Sequence, residues 1–233
     1  MYEFIGYTDW SPALQWGYLL SQINLARFNW PKHPIYQKLL DVVKKIAPSN
    51  YFVMTSNVDG MFERNGFDPA RIYTPQGDYG LMQCLKPCTN QVWPTKDFID
   101  KALPFVSPST QEITNPDVIP KCPNCGGPVM MNVRGGRWFI ESPREQQRND
   151  FEKWKETVKN SRLVIIEVGA GFNTPMVIRW PNENLVSQNN ARLIRINLEN
   201  SNVPGEIISR AAQLPLEGLK AIEALWDSIV DKK

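Results

Sequence analysis

Four cysteines carry the plainest chemistry in this sequence. Cys84 and Cys88 are spaced C-x3-C, and Cys122 and Cys125 are spaced C-x2-C within "KCPNCGG". Two short-spaced thiol pairs far apart in a chain can each grip one side of a tetrahedral metal ion. Four thiolates leave no coordination position open, so the expected group is a structural zinc. Two disulfides, or four free thiols, are the other uses of the same residues. Leading into Cys84 is "YTPQGDYGLMQC", residues 73–84, a dense turn with Gln76 at its apex. A glutamine amide can hold a hydroxyl by hydrogen bonds but takes no proton from it. The chain has one histidine, His33, in the Pro-bracketed loop "WPKHPIY". A multi-histidine metal site therefore cannot be built from this chain alone, and any triad would have to use this loop histidine.

Three other spots could meet a ligand. Thr55, Asn57 and Asp59 lie in "TSNVD" after the apolar "YFVM"; Gly169, Ala170, Gly171 and Asn173 follow the apolar "LVIIEV"; Asn197 and Glu199 end "ARLIRINLE". In parallel α/β sheets ligands bind beyond the carboxyl ends of strands, where all three stretches would fall. Each is weak by itself. An Asn-x-Asp after a strand is often an Asx turn or helix cap. The "GAG" lacks the third glycine of a dinucleotide fingerprint, since Thr174 and Pro175 stand there, and a tight turn explains it nearly as well. Taken together they outline a nucleotide site.

The elements that must position these residues follow from periodicity. "IYQKLLDVVKKI" places Ile35, Leu39, Val42, Val43 and Ile46 on one helical face, and "APSN" breaks that helix. "DFEKWKETVKN" reads as a helix, and Leu219, Ile222, Leu225 and Ile229 mark a closing amphipathic one. Between them "RLVIIEVGAG" and "ARLIRINLE" read as buried strands. Apolar strands alternating with helices predict an α/β fold, a Rossmann-like parallel sheet with helices on both faces. Residues 89–121 hold five prolines and little periodicity, so the segment between the cysteine pairs is expected to be loop-rich and to depend on the metal more than on a core. The expected division is a Rossmann-like domain of residues 1–79 and 142–233, with a zinc module of residues 80–141 closing on a strand-like "GRWFIE".

Composition narrows the function classes. The 233 residues include 26 basic and 24 acidic side chains, net +2, with no basic stripe, so a nucleic-acid partner is not expected. No apolar run approaches the ~18 residues of a membrane span. The first twenty residues contain no Lys or Arg and no uninterrupted apolar core, unlike a secretory signal. A soluble, cytoplasmic protein is the expectation.

The order "TSNVDGMFERNGF", "PQGDYGLMQC", two cysteine pairs, "VGAGFNTP" and "IRINLEN" resembles the sirtuin family, over residues 35–233. The family's T-x-N-x-D motif matches Thr55, Asn57 and Asp59. Its strand-end glycine turn matches Gly169 to Asn173, and its adenosine-side I-N-x-E matches Ile196, Asn197 and Glu199. The resemblance implies NAD as cofactor beside the structural zinc. It also implies that Asn57 and Gln76 orient the nicotinamide ribose, with Asp59 adding polarity or orienting the acceptor.

Gln76–Gly77 stands where most members have His–Gly, and that histidine is the base that completes deacylation. The substitution resembles the macrodomain-linked (class M) branch, whose members are protein ADP-ribosyltransferases reported to act on lipoyl-carrier proteins. Both reactions break the nicotinamide–ribose bond through an oxocarbenium-like centre, but transfer to a protein side chain supplies its own nucleophile. The implied function is therefore NAD-dependent protein ADP-ribosylation, with a protein acceptor such as a lipoylated carrier protein and a macrodomain partner. The alternatives are an NAD-dependent deacylase and a non-catalytic, zinc-stabilised scaffold. The scaffold reading rests on a second departure. Nothing before "NYFVMTSNVD" matches the family's first strand or its glycine-rich G-A-G-x-S cofactor loop, which leaves a central sheet position without its strand.

Overall fold

Pro12 in the first turn, and Ser11 Oγ accepting a hydrogen bond from Leu14 N at 3.1 Å, start the first helix of the computed structural model. The structure describes residues 9–231; residues 1–8 and 232–233, expected at the ends of the Rossmann-like domain, lie outside the described residues. In chain order the elements are α1 (Pro12–Ile23), α2 (Pro34–Ile46), β1 (Val53–Met54), α3 (Met61–Arg64), β2 (Ile72–Tyr73), β3 (Gly77–Cys84) and β4 (Val92–Pro94). There follow α4 (Thr95–Ala102), β5 (Val129–Val133), α5 (Ser142–Val158), β6 (Leu163–Val168), α6 (Arg179–Gln188), β7 (Ala191–Ile196), β8 (Ala211–Leu214) and α7 (Gly218–Ile229). No helix among the described residues is long and apolar enough to cross a membrane.

The chain divides by packing into two units. Among the described residues one takes in 9–31, 57–61 and 76–145; the other takes in 32–56, 62–75 and 146–231. Packing thus groups α1, the "NVDGM" segment and residues 76–79 with the cysteine-bearing stretch, a cut different from the domain ranges read from the sequence.

In the first unit β3 is the centre of an antiparallel sheet, flanked by β4 and β5. Its core joins Trp16, Leu19, Leu20 and Ile23 of α1 to Met82, Ile99, Ala102, Ile113 and Met131, and reaches Cys84 and Cys122. Residues 89–121 are therefore more than a metal-held excursion. They form α4 and bury Ile99 and Ala102 completely, at 0% exposure. The short helix was hidden because only eight residues separate Pro94 from Leu103, too few for a repeating face. The strand expected at "GRWFIE" does not form. Two buried amides take its backbone groups instead: Gln83 Nε2 donates to Trp138 O at 2.8 Å, Ile140 N donates to Gln83 Oε1 at 3.0 Å, and Asn132 Nδ2 donates to Ile140 O at 2.9 Å.

In the second unit the strands are parallel, as alternation predicts, but they make two ladders rather than one sheet. β1 pairs with β2, and β6, β7 and β8 pair in sequence order. Among the described residues β6 has a partner on one side only, which leaves Val164 and Val168 at 44% and 41% exposure in a strand expected to be buried. Helix α2 packs on α7, where Lys38 meets Glu223 and Trp226 Nε1 donates to Asp41. Its fully buried residues are Val42, which belongs to the expected stripe, and Leu40, which does not, while Ile46 is 50% exposed. Phe151 and Trp154 of α5 pack against Phe52, and Phe151 also meets Tyr73.

Candidate functional site

The four cysteine sulfurs lie within 4.8 Å of one another. Cys84 Sγ is 3.8 Å from Cys125 Sγ, and Cys88 Sγ is 3.6 Å from Cys122 Sγ. A tetrahedron with Zn–S bonds of about 2.3 Å has S–S edges of about 3.8 Å. The thiols are preassembled at the spacing zinc requires and far beyond disulfide length, so these four residues fit a structural zinc and would hold it. Each pair brings one buried and one exposed thiol, Cys84 with Cys88 and Cys122 with Cys125.

Without a cation the cluster splits its acidity. Burial pushes the Cys122 thiol up, but hydrogen bonds from the backbone of Cys125 and Asn124 outweigh it and bring the group down to about 7. For Cys125 the backbone of Gly127 pulls downward, yet the neighbouring Cys88 and Cys122 push the thiol up to about 12. Thiolates this close repel one another until a divalent ion neutralises them. One zinc per chain is the expected content by elemental analysis. Its removal by a strong chelator is expected to lower the thermal midpoint by roughly 10 °C, since structural zinc contributes several kcal/mol and each is worth about 2–4 °C in a chain of this size. An unchanged midpoint after metal loss would assign the cysteines no structural duty.

The predicted site residues fall into two sets, one in each packing unit. In the first unit, Asp59 Oδ1 accepts from Met61 N at 2.9 Å and so starts α3, which realises the helix-cap reading of the Asn-x-Asp stretch. Asn57 is exposed and Gln76 half-buried. The Gln76 carbonyl is pinned by Arg134 N at 2.9 Å, and Gly77 follows at φ +100°. A Cβ on Gly77 would lie 2.1 Å from Asn132 O, so only glycine lets the chain turn there and place Gln76 at the head of β3. Two residues on, Asp78 receives both Nε (2.7 Å) and Nη2 (3.2 Å) of Arg27. The Arg27 guanidinium also lies where a side chain on Gly60, φ +66°, would stand. Sequence reading missed this pair; only the fold brings residues 51 positions apart into contact.

In the second unit, Thr55 N donates to Tyr73 O at 3.0 Å just past β1. Gly169 ends β6 at φ +72°, the one position of the "GAG" turn whose backbone needs glycine. Asn197 is an Asx cap: its Oδ1 accepts from Glu199 N (3.1 Å) and Asn200 N (2.8 Å), while its Nδ2 donates to Ala170 O at 3.1 Å. It ties the turn after β6 to the turn after β7. Ala170 and Gly171 are half-buried, and Asn173 and Glu199 are exposed.

Beneath these turns is a charge cluster the sequence reading passed over. Glu167 and Arg195 are register partners on β6 and β7. Arg195 Nε and Nη2 grip Glu167 at 2.6 and 3.2 Å, and its Nη1 reaches Glu183 at 2.7 Å and Asn202 O at 2.9 Å. Arg179 donates to the carbonyls of Ala170, Asn200 and Asn202. Burial depresses the Arg195 guanidinium, but bonds to Glu167 and then Glu183 carry it above its ordinary value, so it stays charged. Part of the signal was present: "LVIIEV" holds a single acid, and of the two arginines in "ARLIRI" only Arg195 falls on the buried alternation while Arg192 is exposed.

No protein-family model matches the chain. Over 204 residues it is 38% identical to a protein of Fusarium oxysporum f. sp. cubense described as a probable bifunctional ADP-ribose hydrolase/ADP-ribosyltransferase, a match covering 85% of this chain and 34% of the relative. Over 190 residues it is 25% identical to a protein ADP-ribosyltransferase of Staphylococcus aureus, covering 80% of this chain and 59% of that protein. The chain thus spans less than two thirds of either relative. Among solved structures it is similar to a mutant Sir2 homologue in complex with ADP-ribose, with a TM-score of 0.58 at 15% identity over 95% of this chain and 75% of the other. It is also similar to a Sir2 protein with a p53 peptide and NAD+, with a TM-score of 0.55 at 12% identity over 95% and 83%.

Proposed function

We propose that this chain, which has the sirtuin fold, is an NAD-dependent protein ADP-ribosyltransferase that breaks the nicotinamide–ribose bond and passes ADP-ribose to a protein side chain. The observation that carries the reading is the 38% identity, over 85% of the chain, to a relative described as a probable ADP-ribosyltransferase. Solved structures of the same fold hold ADP-ribose or NAD+ and a peptide, which supports NAD and a protein acceptor as the two substrates.

The residues support transfer over deacylation. Gln76 stands at the head of β3 on a backbone that only Gly77 permits, and an amide there positions a ribose hydroxyl without taking its proton. Asn57 and Gln76 orient the nicotinamide ribose. Asp59, already capping α3, holds its segment in place and lends polarity. The adenosine side of NAD meets Thr55, the turn at Gly169, Ala170, Gly171 and Asn173, and the Asn197–Glu199 turn, whose exposed Glu199 has the chemistry to accept from ribose hydroxyls. Zinc would sit on the four cysteines as a structural ion, stiffening the unit that carries Gln76, with no part in the bond-breaking step.

The acceptor we favour is a lipoylated carrier protein in the cytoplasm, acting with a macrodomain partner, as in the class M branch that Gln76 resembles. The test incubates the zinc-loaded chain with NAD labelled in the adenylate moiety, with and without a lipoylated carrier protein. Nicotinamide release with label on the carrier is the expected result. Release of acyl groups from acyl-lysine peptides would make it a deacylase instead. No nicotinamide release with any acceptor would leave the zinc-stabilised scaffold.

A further inference from the structure

Two arginines in this protein share one habit. Arg27 and Arg195 each turn the Nε/Nη2 edge of the guanidinium onto both oxygens of a carboxylate, Asp78 at 2.7 and 3.2 Å and Glu167 at 2.6 and 3.2 Å. That edge presents two parallel N–H donors and is the fork that matches carboxylate and phosphate. Arg144 is buried like Arg195, at 6% exposure, where Arg27 is half-buried, and its Nε and Nη2 meet no acceptor within the protein. A buried guanidinium whose best donors are unmatched is costly, and such groups call for an explanation.

Its surroundings do not supply the missing negative charge. Arg144 lies in the first turn of α5, where the helix dipole presents its positive end. Burial holds its guanidinium below the ordinary arginine value; Asp78 counters this, and the nearby Arg27 adds to it. Asp78 is already gripped at both oxygens by Arg27. Arg27, Asp78 and Arg144 together carry one net positive charge. Of the three, Asp78 lies two residues along the chain from Gln76.

We propose that the Nε/Nη2 edge of Arg144 is the binding site for a two-oxygen anion, a phosphate or carboxylate carried by one of the substrates, and that Arg144 is a substrate-binding residue. Only the identity of the carrier rests on the function proposed above. The anion itself follows from the unmatched fork.

The test is a titration of the full zinc-loaded chain followed by the side-chain Nε–H resonances of its arginines. Sodium pyrophosphate and sodium acetate are added separately at constant ionic strength, with chloride as reference. Arg144→Lys identifies the resonance by its loss, and Arg144→Gln serves if the lysine variant does not fold. A saturable millimolar shift of the Arg144 signal is expected, together with at least about tenfold weaker pyrophosphate binding in the variant, since a charge-assisted pair contributes that much. A shift of the same signal on adding NAD assigns the anion to the dinucleotide diphosphate. No shift with NAD, but an acceptor KM raised about tenfold in the variant at unchanged NAD KM, assigns it to an acceptor carboxylate. No saturable shift with either anion overturns the proposal. A pyrophosphate shift without nicotinamide release would keep the anion site and remove the transferase reading.

Discussion

Glu167→Gln is expected to destabilise the protein by about 3–5 kcal/mol, because it leaves Arg195 charged and short of a partner in a dry interior. Arg195 has 0% exposure and Glu167 3%, and the two share both bonds of a fork. The cluster of Arg179, Arg195, Glu167 and Glu183 sums to zero charge; the substitution makes it +1. At about 2–4 °C per kcal/mol the thermal midpoint should fall by roughly 10 °C. The double variant Glu167→Gln with Arg195→Met removes the orphaned cation as well and is expected to recover most of the loss. Chemical denaturation of the two variants checks both statements. Equal losses in the single and double variants would mean that packing, and not charge, makes the site sensitive.

That substitution also bears on the proposed cofactor site. Arg179 holds the carbonyls of Ala170, Asn200 and Asn202, and Arg195 holds Asn202 as well. The two turns expected to meet adenosine are therefore set from below by the cluster, and weaker NAD binding should accompany the lost stability. A fold that loses stability while keeping its NAD affinity would separate the turns from the network.

The second large effect is expected at Asn57. Asn57→Ala should slow nicotinamide release by about a hundredfold, the cost of losing the group proposed to set the ribose in line for bond cleavage. Because the side chain is exposed, the change in stability should stay within about 0.5 kcal/mol, the usual range for surface substitutions. Steady-state kinetics with a denaturation curve on the same preparation tests the pair. Parallel loss of activity and stability would make Asn57 a structural residue, and unchanged kinetics would remove it from the site. Asp59 should behave in the opposite sense. As the cap of α3, its replacement by alanine is expected to cost stability.

What the chain itself discloses is whatever depends on short spacing. C-x3-C and C-x2-C determine a four-thiolate cluster because each knuckle is local, and the structure needs only to bring two knuckles together. Gly77 and Gly169 announce turns because a positive φ excludes most side chains, whatever lies elsewhere. The parallel pairing of β6 and β7 likewise follows from apolar runs alternating with helices, whereas β8 has no counterpart in the pattern read from the sequence.

What only the tertiary structure decided is which distant groups satisfy one another. "GRWFIE" has a strand's composition, but Gln83 and Asn132 claim its backbone groups first. Residues 89–121 look coreless until α1, far upstream, packs against α4. The partition of the arginines was equally invisible: Arg27 finds Asp78 and Arg195 finds Glu167, while Arg144 finds neither. Desolvation makes such pairing decisive, since a charge that costs little in water must be matched once buried, and no local pattern in the sequence states which charges will be.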